Sequence, residues 1–154
     1  MIETTKISAT CACGALRLDI KGRPVVQLVC HCTDCRAFSG QPYTEAAFFQ
    51  AAHCQIHGQT EAMTLNGGSG FPKIHHSCAR CKTPLFVTVG ALNGACAVPA
   101  YRLSPFQFKP QAHIWTREKL DTVSLPTDAP HSPDLPPKPL LDIMLGQFWS
   151  KGNE

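Results

Sequence analysis

Apolar and polar side chains alternate over several short stretches in the first two thirds of the chain. Residues 15–20 alternate with period two, residues 25–29 are rich in valine, and residues 85–89 form a third β-prone run. Such runs predict β-strands, and the glycines and prolines between them predict turns. The pattern therefore predicts a mainly β fold, a small domain of short antiparallel strands spanning residues 7–123.

The pattern changes after Val123. Residues 124–139 are rich in proline, which disfavours helix and central strand and predicts an extended connector. Over residues 140–150 apolar side chains recur every three or four positions, which predicts a short amphipathic helix. Because so short a helix is marginal alone, we expect it to pack on its own domain, in preference to the interface of a homodimer.

Composition places the chain among soluble globular proteins. Its 154 residues suffice for one domain with a core, and 44% apolar with 16% charged residues is ordinary. Residues 1–10 lack the pattern of a signal peptide, and no stretch approaches ~18 consecutive apolar residues. We therefore expect a cytoplasmic protein with no membrane partner. In that reducing compartment, closely spaced cysteines are better explained as metal ligands or catalytic thiols than as disulfides.

Most of the nine cysteines fall into three clusters. These are Cys11 with Cys13, the run Cys30, Cys32 and Cys35, and Cys78 with Cys81. Two-cysteine turns at adjacent strand ends can together supply the four thiolates of a tetrahedral zinc site. The first and third clusters therefore predict a structural zinc site, the alternative being four unrelated buried cysteines.

The three-cysteine run leaves the fourth position of a zinc ion open to water or to a substrate thiol, which is typical of a reactive site. Thr33 or Asp34 is expected to cap a short helix, with Cys35 in its first turn, where a thiolate is favoured. Two alternatives stay open. His31 could close the site, although a residue between two ligands usually points away from their metal, or the thiols could act in redox chemistry without metal.

Residues beside these clusters have weaker signals. Arg36 could bind a substrate carboxylate by bidentate pairing, and an ordinary structural ion pair is an equal alternative. His75 and His76 would point to opposite faces of a strand, so at most one could approach a zinc site, and second-shell or solvated roles are favoured for both. Cys54 and Cys96 are expected to be small core residues. No role is predicted for the remaining histidines, His53, His57, His113 and His131.

Charge argues against a nucleic-acid partner. The formal net charge is +3, but seven thiolates would contribute −7 and two Zn²⁺ ions +4, so the loaded chain would be near neutral. An electrostatic nucleic-acid binder needs a clustered basic face. We therefore expect no nucleic-acid partner.

These motifs together resemble the glutathione-dependent formaldehyde-activating enzyme family, which also includes centromere protein V. The matching elements are Cys11-Ala12-Cys13-Gly14, the run Cys30 to Arg36 followed by Ser39-Gly40 and Pro42, Cys78-Ala79-Arg80-Cys81 followed by Thr83 and Leu85-Phe86, and His113-Ile114-Trp115. Their joint occurrence over roughly residues 9–117 is highly specific.

The resemblance implies a mostly β zinc fold similar to that of methionine-R-sulfoxide reductases. It implies a structural zinc at Cys11, Cys13, Cys78 and Cys81 and a second, labile zinc at Cys30, Cys32 and Cys35. It also implies a carbon-sulfur lyase-type activity that joins glutathione to formaldehyde to give S-hydroxymethylglutathione. Two departures stand out: Lys82 occupies a position where the family usually has glycine, and Ser77 one where it tends to have an aromatic residue.

The function predicted from these observations is chemistry on small thiol adducts, with glutathione or a similar thiol as the partner. The three cysteines of the open site would be the catalytic residues. The rival prediction is a non-catalytic, zinc-stabilised binding module of the same family, although the basic tail expected of such a module is missing. A redox role like that of the sulfoxide reductases is a third possibility, and it would need a reductant.

Overall fold

The computed structural model describes residues 6–66 and 70–150. Over these residues the fold is mainly β, as predicted, with two helices. The strands are β1 (Lys6–Thr10), β2 (Arg17–Lys21), β3 (Val26–Cys30), β4 (Thr44–Phe49), β5 (Cys54–His57), β6 (Thr60–Leu65), β7 (Lys73–Cys78), β8 (Pro84–Val89), β9 (Ala95–Pro99), β10 (Leu103–Ser104) and β11 (Ala112–Ile114). The helices are α1 (Thr33–Ser39) and α2 (Lys138–Phe148).

The strands form two sheets. One has the order β10-β1-β2-β5, and the other has the order β11-β3-β4-β9-β8-β7-β6. Every described strand pair is antiparallel, as predicted, except β3 with β11, which run parallel with Cys30 opposite Ile114. A parallel pair needs a long connection. Here the segment between β3 and β11 contains most of the strands of the larger sheet.

The two sheets pack face to face over one hydrophobic core. The alternation that predicts β2 buries Leu18 and Ile20 while leaving Arg17 exposed. These side chains share a cluster with Phe49 and Phe86 from the larger sheet. The opposite face of the larger sheet carries a second cluster, and it is this face that meets the cysteine run and the C-terminal helix.

The C-terminal helix α2 packs on its own domain. It begins at Lys138, slightly earlier than the pattern predicts, since a proline is tolerated in the first turn of a helix. Met144 and Phe148 are buried in the second cluster, whereas Ile143 is 56% exposed. A homodimer stays a prediction. In the described part of the chain, neither helix combines the length and the apolar character needed to span a bilayer.

The Pro-rich connector lies along the edge of the larger sheet. The backbone N–H of His113 donates to the carbonyl of Pro130, and that of Trp115 donates to the carbonyl of Asp134, both at 2.9 Å. Within the described residues 124–137 there is no strand or helix. These hydrogen bonds attach the connector beside β11, so that α2 returns across the face of the sheet.

Candidate metal centres and the adjoining cavity

The first and third cysteine clusters meet in space. Cys11 and Cys13 follow β1, Cys78 ends β7, and Cys81 lies in the turn after it. The four Sγ atoms lie within 4.8 Å of one another, with Cys11 and Cys13 3.6 Å apart and Cys13 and Cys78 3.8 Å apart. This four-cysteine group (Cys11, Cys13, Cys78 and Cys81) has the donor set typical of a zinc site with four thiolates.

Backbone N–H groups point at the sulfur atoms of this group. Leu16 N–H donates to Cys11 Sγ at 3.2 Å, and the N–H groups of Arg80 and Cys81 donate to Cys78 Sγ at 3.4 Å. Hydrogen bonds to sulfur favour the thiolate form that a metal binds. The local turns therefore prepare the group for a cation.

Thr83 is a supporting residue to which sequence reasoning gave no role in the site. Its hydroxyl lies 2.9 Å from Cys81 Sγ and accepts a hydrogen bond from the N–H of Ala12 at 3.2 Å. Hydrogen bonds from the Thr83 hydroxyl and backbone lower the pKa of Cys81 to about 5. Thr83 thus connects the two turns and stabilises one thiolate.

Two residues with left-handed backbone conformations shape these turns. Gly14 has φ 81° and Lys82 has φ 65°. The Lys82 N–H donates to the carbonyl of Cys78 at 2.9 Å and closes the turn. A non-glycine residue in this conformation costs about 1–2 kcal/mol, and the exposed ion pair of Lys82 with Glu61 offsets little of it. Lys82, which departs from the family pattern, is therefore a strained residue in a turn that favours glycine.

The three-cysteine group (Cys30, Cys32 and Cys35) lies where β3 meets α1. Cys30 ends the strand, and Cys32 is the N-cap of the helix, its Sγ accepting the N–H of Cys35 at 3.2 Å. Cys35 Sγ lies 3.5 Å from Cys30 Sγ. Cys35 is in the first turn, as predicted. The prediction that Thr33 or Asp34 caps the helix is wrong, because the sulfur of Cys32 takes that place.

Negative charge in the three-cysteine group collects on one sulfur. Hydrogen bonds from Cys30 and Cys35 lower the pKa of Cys32 far below its ordinary value. The hydrogen bond with Cys32, and then burial, raise the pKa of Cys30, and hydrogen bonds with Cys30 and Cys32, and then burial, raise the pKa of Cys35. Among the described residues, no histidine, carboxylate or further cysteine joins the three sulfurs within 4.8 Å. The group therefore offers a cation three protein donors.

His31 turns away from the cysteines on either side of it. Its Nε2 lies 3.0 Å from Nδ1 of His113, and the two rings stack with centroids 5.3 Å apart. Burial, and then the proximity of His113, lower the pKa of His31 to about 4. His31 is therefore neutral near pH 7 and is hydrogen-bonded to β11. It does not close the three-cysteine group.

Arg36 holds α1 in place. One guanidinium nitrogen donates to the carbonyl of Glu118 at 2.8 Å, and Nε donates to the carbonyl of His31 at 3.5 Å. In return, the Glu118 carboxylate accepts the N–H of Thr33 at 2.7 Å. Arg36 is not among the described residues that line the cavity beside the cysteines. Its predicted role toward a substrate carboxylate stays a prediction.

A cavity of about 550 Å³ opens beside the three-cysteine group, and all three cysteines line it. The described polar side chains in its wall, apart from the cysteines and Trp115, are Ser39, Thr44, Lys73 and His75. The remaining wall is aliphatic or aromatic. Ligand sites commonly have this size and an apolar lining with a few polar groups.

His75 is the member of the histidine pair that faces the cavity. It is only 1% exposed, and the Phe38 ring of α1 packs edge-on to it at 4.6 Å. Neither ring nitrogen of His75 has a hydrogen-bond partner among the described residues. Burial lowers its pKa, so the ring is neutral near pH 7. His76 points the other way, stacking on Phe86 and contacting the hydroxyl of Thr88.

The remaining two cysteines lie away from both groups. Cys96 is buried in the core between the sheets, and Cys54 packs against that core. A hydrogen bond between the two thiols, and then burial, raise the pKa of Cys54, whereas the same hydrogen bond lowers the pKa of Cys96. Their expected role as small core residues agrees with these positions.

The fold and these sites define a small, mainly β domain with two cysteine groups that can bind zinc. Residues 6–118 match the model of the family described as glutathione-dependent formaldehyde-activating enzyme. The chain belongs to this family. No curated protein matches it. A crystal structure of a Rhodobacter sphaeroides protein is 17% identical and covers 65% of this chain and 90% of its own, with a TM-score of 0.47.

Sequence reasoning predicted the cysteine groups that the structure brings together and missed most of their surroundings. His31 and His113 both lie in motifs that carry the family resemblance, but nothing in the sequence indicated that the two residues pair, because 82 positions separate them. The inward direction of His75 had a partial signal, since strand alternation sends one histidine of the pair to each face. The cavity had none, because its wall combines segments from most of the chain.

Proposed function

We propose that this protein is a zinc-dependent carbon-sulfur lyase-type enzyme that acts on adducts of a small thiol, such as glutathione, with formaldehyde or a similar carbonyl compound. The observation that carries the proposal is the three-cysteine group, which has three sulfur donors and opens into a cavity. The family to which the chain belongs supports the same reaction class.

The two cysteine groups would hold zinc in different ways. Cys11, Cys13, Cys78 and Cys81 match a closed structural site, whereas Cys30, Cys32 and Cys35 would bind a more labile ion with one exchangeable position. Zinc bound there would supply a Lewis acid that favours the thiolate form of a substrate thiol. The soft thiolate donors of both groups suit this metal.

The reaction in the forward direction adds a thiol across a carbonyl. A sulfur-carbon bond forms, the carbonyl π bond breaks, and the thiol proton ends on the carbonyl oxygen, so no oxidant or reductant is needed. The chain contributes an anionic sulfur cluster stabilised by the N–H of Cys35, and a buried neutral His75 that can donate a hydrogen bond at the cavity wall. The apolar wall limits the access of water.

The experiment measures zinc content and adduct formation together. Zinc per chain is determined by elemental analysis, and S-hydroxymethylglutathione formation is followed by NMR exchange spectroscopy above the spontaneous rate. We expect two zinc ions in the wild type, one in Cys35→Ser, and loss of the catalysed rate in that variant. Cys54→Ser, which removes a thiol outside both cysteine groups, is the control. It should keep two zinc ions and the catalysed rate.

The alternative is a non-catalytic, zinc-stabilised module that binds a partner. It predicts no acceleration and no zinc-dependent uptake of glutathione in equilibrium dialysis. That result, obtained with protein carrying two zinc ions, would contradict the proposed activity. Cytoplasmic location and glutathione as the thiol belong to the same proposal.

A further inference from the structure

The cavity beside the three-cysteine group is much larger and more apolar than formaldehyde requires. Its volume of about 550 Å³ lies in the range of sites that hold drug-sized ligands. Leu28, Phe48, Val87 and Ile114 are among the apolar side chains that form most of the wall. Lys73 is the only Lys, Arg, Asp or Glu among the described lining residues, so burying the carboxylates and ammonium of glutathione against the rest of this wall would be costly. The main volume of the cavity therefore suits an uncharged apolar group.

A segment outside the family match forms part of the wall of this cavity. The match ends at residue 118, and we call residues 119–150 the C-terminal strap. The strap contributes apolar side chains to the cavity wall: Leu135, Pro136, Leu141, Met144 and Leu145. The apolar character of the site in this chain thus depends partly on residues outside the family match.

The strap is anchored by hydrogen bonds at its far end. Trp149 Nε1 donates to the carbonyl of Ala91 at 3.1 Å, and Asn93 Nδ2 donates to the carbonyl of Phe148 at 3.1 Å. Phe148 itself is buried. These contacts hold α2 over the cavity, so its lining side chains form a defined wall.

The cavity also has a polar wall. The cysteines and His75 line the same space, and both ring nitrogens of His75 are buried without a partner in the described residues. A buried polar atom left unpaired costs about 1–3 kcal/mol, so a ligand that supplies the missing partner is favoured. A carbonyl oxygen can accept a hydrogen bond from the neutral ring.

From the strap, the apolar wall and the unpartnered His75, we infer that the carbonyl substrate of this site carries an extended apolar group. The carbonyl oxygen meets His75, and the hydrocarbon part fills the space under α2. This inference rests on the proposed function, because it names the substrate class of the same site. The peptide portion of a thiol such as glutathione stays at the mouth of the cavity.

The test uses zinc-loaded full-length protein and a series of straight-chain ketones: 2-butanone, 2-hexanone and 2-octanone. Binding is measured by calorimetry without thiol, so no turnover is needed. The affinity should rise about fourfold per added methylene, in line with the burial of CH₂ groups. Leu141→Trp fills the cavity from α2. It should lower the affinity for 2-octanone at least tenfold and change the affinity for 2-butanone little.

Ile143→Trp is the matched control, since it adds the same ring to α2 on an exposed side chain that does not line the cavity. It should leave the affinities for the three ketones unchanged. If Leu141→Trp fails to fold, Leu145→Trp, at a lining residue that is 40% exposed, takes its place. An affinity independent of chain length, or equal effects of the lining and control variants, would overturn the inference.

A second measurement separates this inference from the proposed function. The kcat/KM for glutathione with octanal and with formaldehyde is compared in the wild type and in Leu141→Trp. Selective loss of the octanal reaction supports the substrate class. Chain-length-dependent ketone binding without catalysed adduct formation from any aldehyde would overturn the proposed lyase activity, while the apolar preference of the cavity would stand. Catalysis restricted to formaldehyde, with no chain-length effect, would overturn only the inference.

Discussion

Nε2 of His31 lies 3.0 Å from Nδ1 of His113, and this contact joins the three-cysteine group to strand β11. His31 is fully buried between two candidate metal ligands, while His113 is held in the parallel pairing of β11 with β3. The orientation of the cysteine loop therefore depends on a strand that follows it by more than seventy residues. The pairing also directs the His31 ring away from the sulfur atoms.

Loss of His113 should destabilise this loop. In His113→Leu the buried Nε2 of His31 loses its partner, so we expect the free energy of unfolding to fall by about 1–3 kcal/mol. Urea denaturation followed by circular dichroism measures the change. His131→Leu, at an exposed residue, should change stability by less than about 0.5 kcal/mol. Equal effects of the two variants would show that the imidazole pair contributes nothing specific.

The two cysteine groups should respond differently to the loss of one donor. Cys81→Ser should sharply lower the thermal midpoint, because metal binding at a four-thiolate site is coupled to folding. Cys35→Ser should keep the fold and lose about one zinc per chain. Circular dichroism melting and elemental analysis of both variants test this pair. Unfolding of Cys35→Ser to the same extent would make the three-cysteine group a structural site.

His75 should matter for ligand binding more than its neighbour in sequence. His75→Leu removes the cavity-facing ring nitrogens, so the affinity for 2-octanone should fall about fivefold to tenfold, the loss of one buried hydrogen bond. His76→Leu changes the opposite face of β7 and should leave the affinity unchanged. Calorimetry measures both, and an unaltered affinity in His75→Leu would exclude contact with the carbonyl.

Replacing Lys82 by glycine should increase the stability of the protein. Lys82→Gly relieves a left-handed conformation, and the net gain in stability should be about 1 kcal/mol after the larger unfolded-state entropy of glycine. Arg80→Gly lies in the same turn without a positive φ and should lower stability instead. Thermal unfolding at fixed zinc concentration compares them. Destabilisation by both would mean that the lysine conformation carries no strain.

Substitution of Arg36 should distinguish its two predicted roles. If Arg36 acts mainly through its hydrogen bonds to the carbonyls of Glu118 and His31, Arg36→Ala should lower kcat/KM equally for glutathione and for 2-mercaptoethanol, which lacks a carboxylate. We expect this equal loss. A rise in KM confined to glutathione would instead assign Arg36 to a substrate carboxylate.

The two cysteine groups show what the local spacing of residues can predict about a site. Cys30, Cys32 and Cys35 share one loop and one helical turn, so their spacing alone limits the sulfur atoms to a small volume. Pairing Cys11 and Cys13 with Cys78 and Cys81 needed chemical knowledge as well, namely that zinc takes four thiolates. Cys32 is the N-cap of α1 because its sulfur atom accepts the N–H of Cys35. Capping propensities, which favour Thr and Asp, do not predict a cysteine at this position.

The amino-acid sequence by itself determined the strand-rich character, the two sets of sulfur donors and the C-terminal helix, because these depend on residue type and short-range periodicity. Only the tertiary structure decided which histidine faces the cavity, which partner His31 has, and that α2 lines the cavity beside the three-cysteine group. Those relations depend on sheet order, on register and on the path of the connector. They join residues that are far apart along the chain, and no local pattern records their meeting.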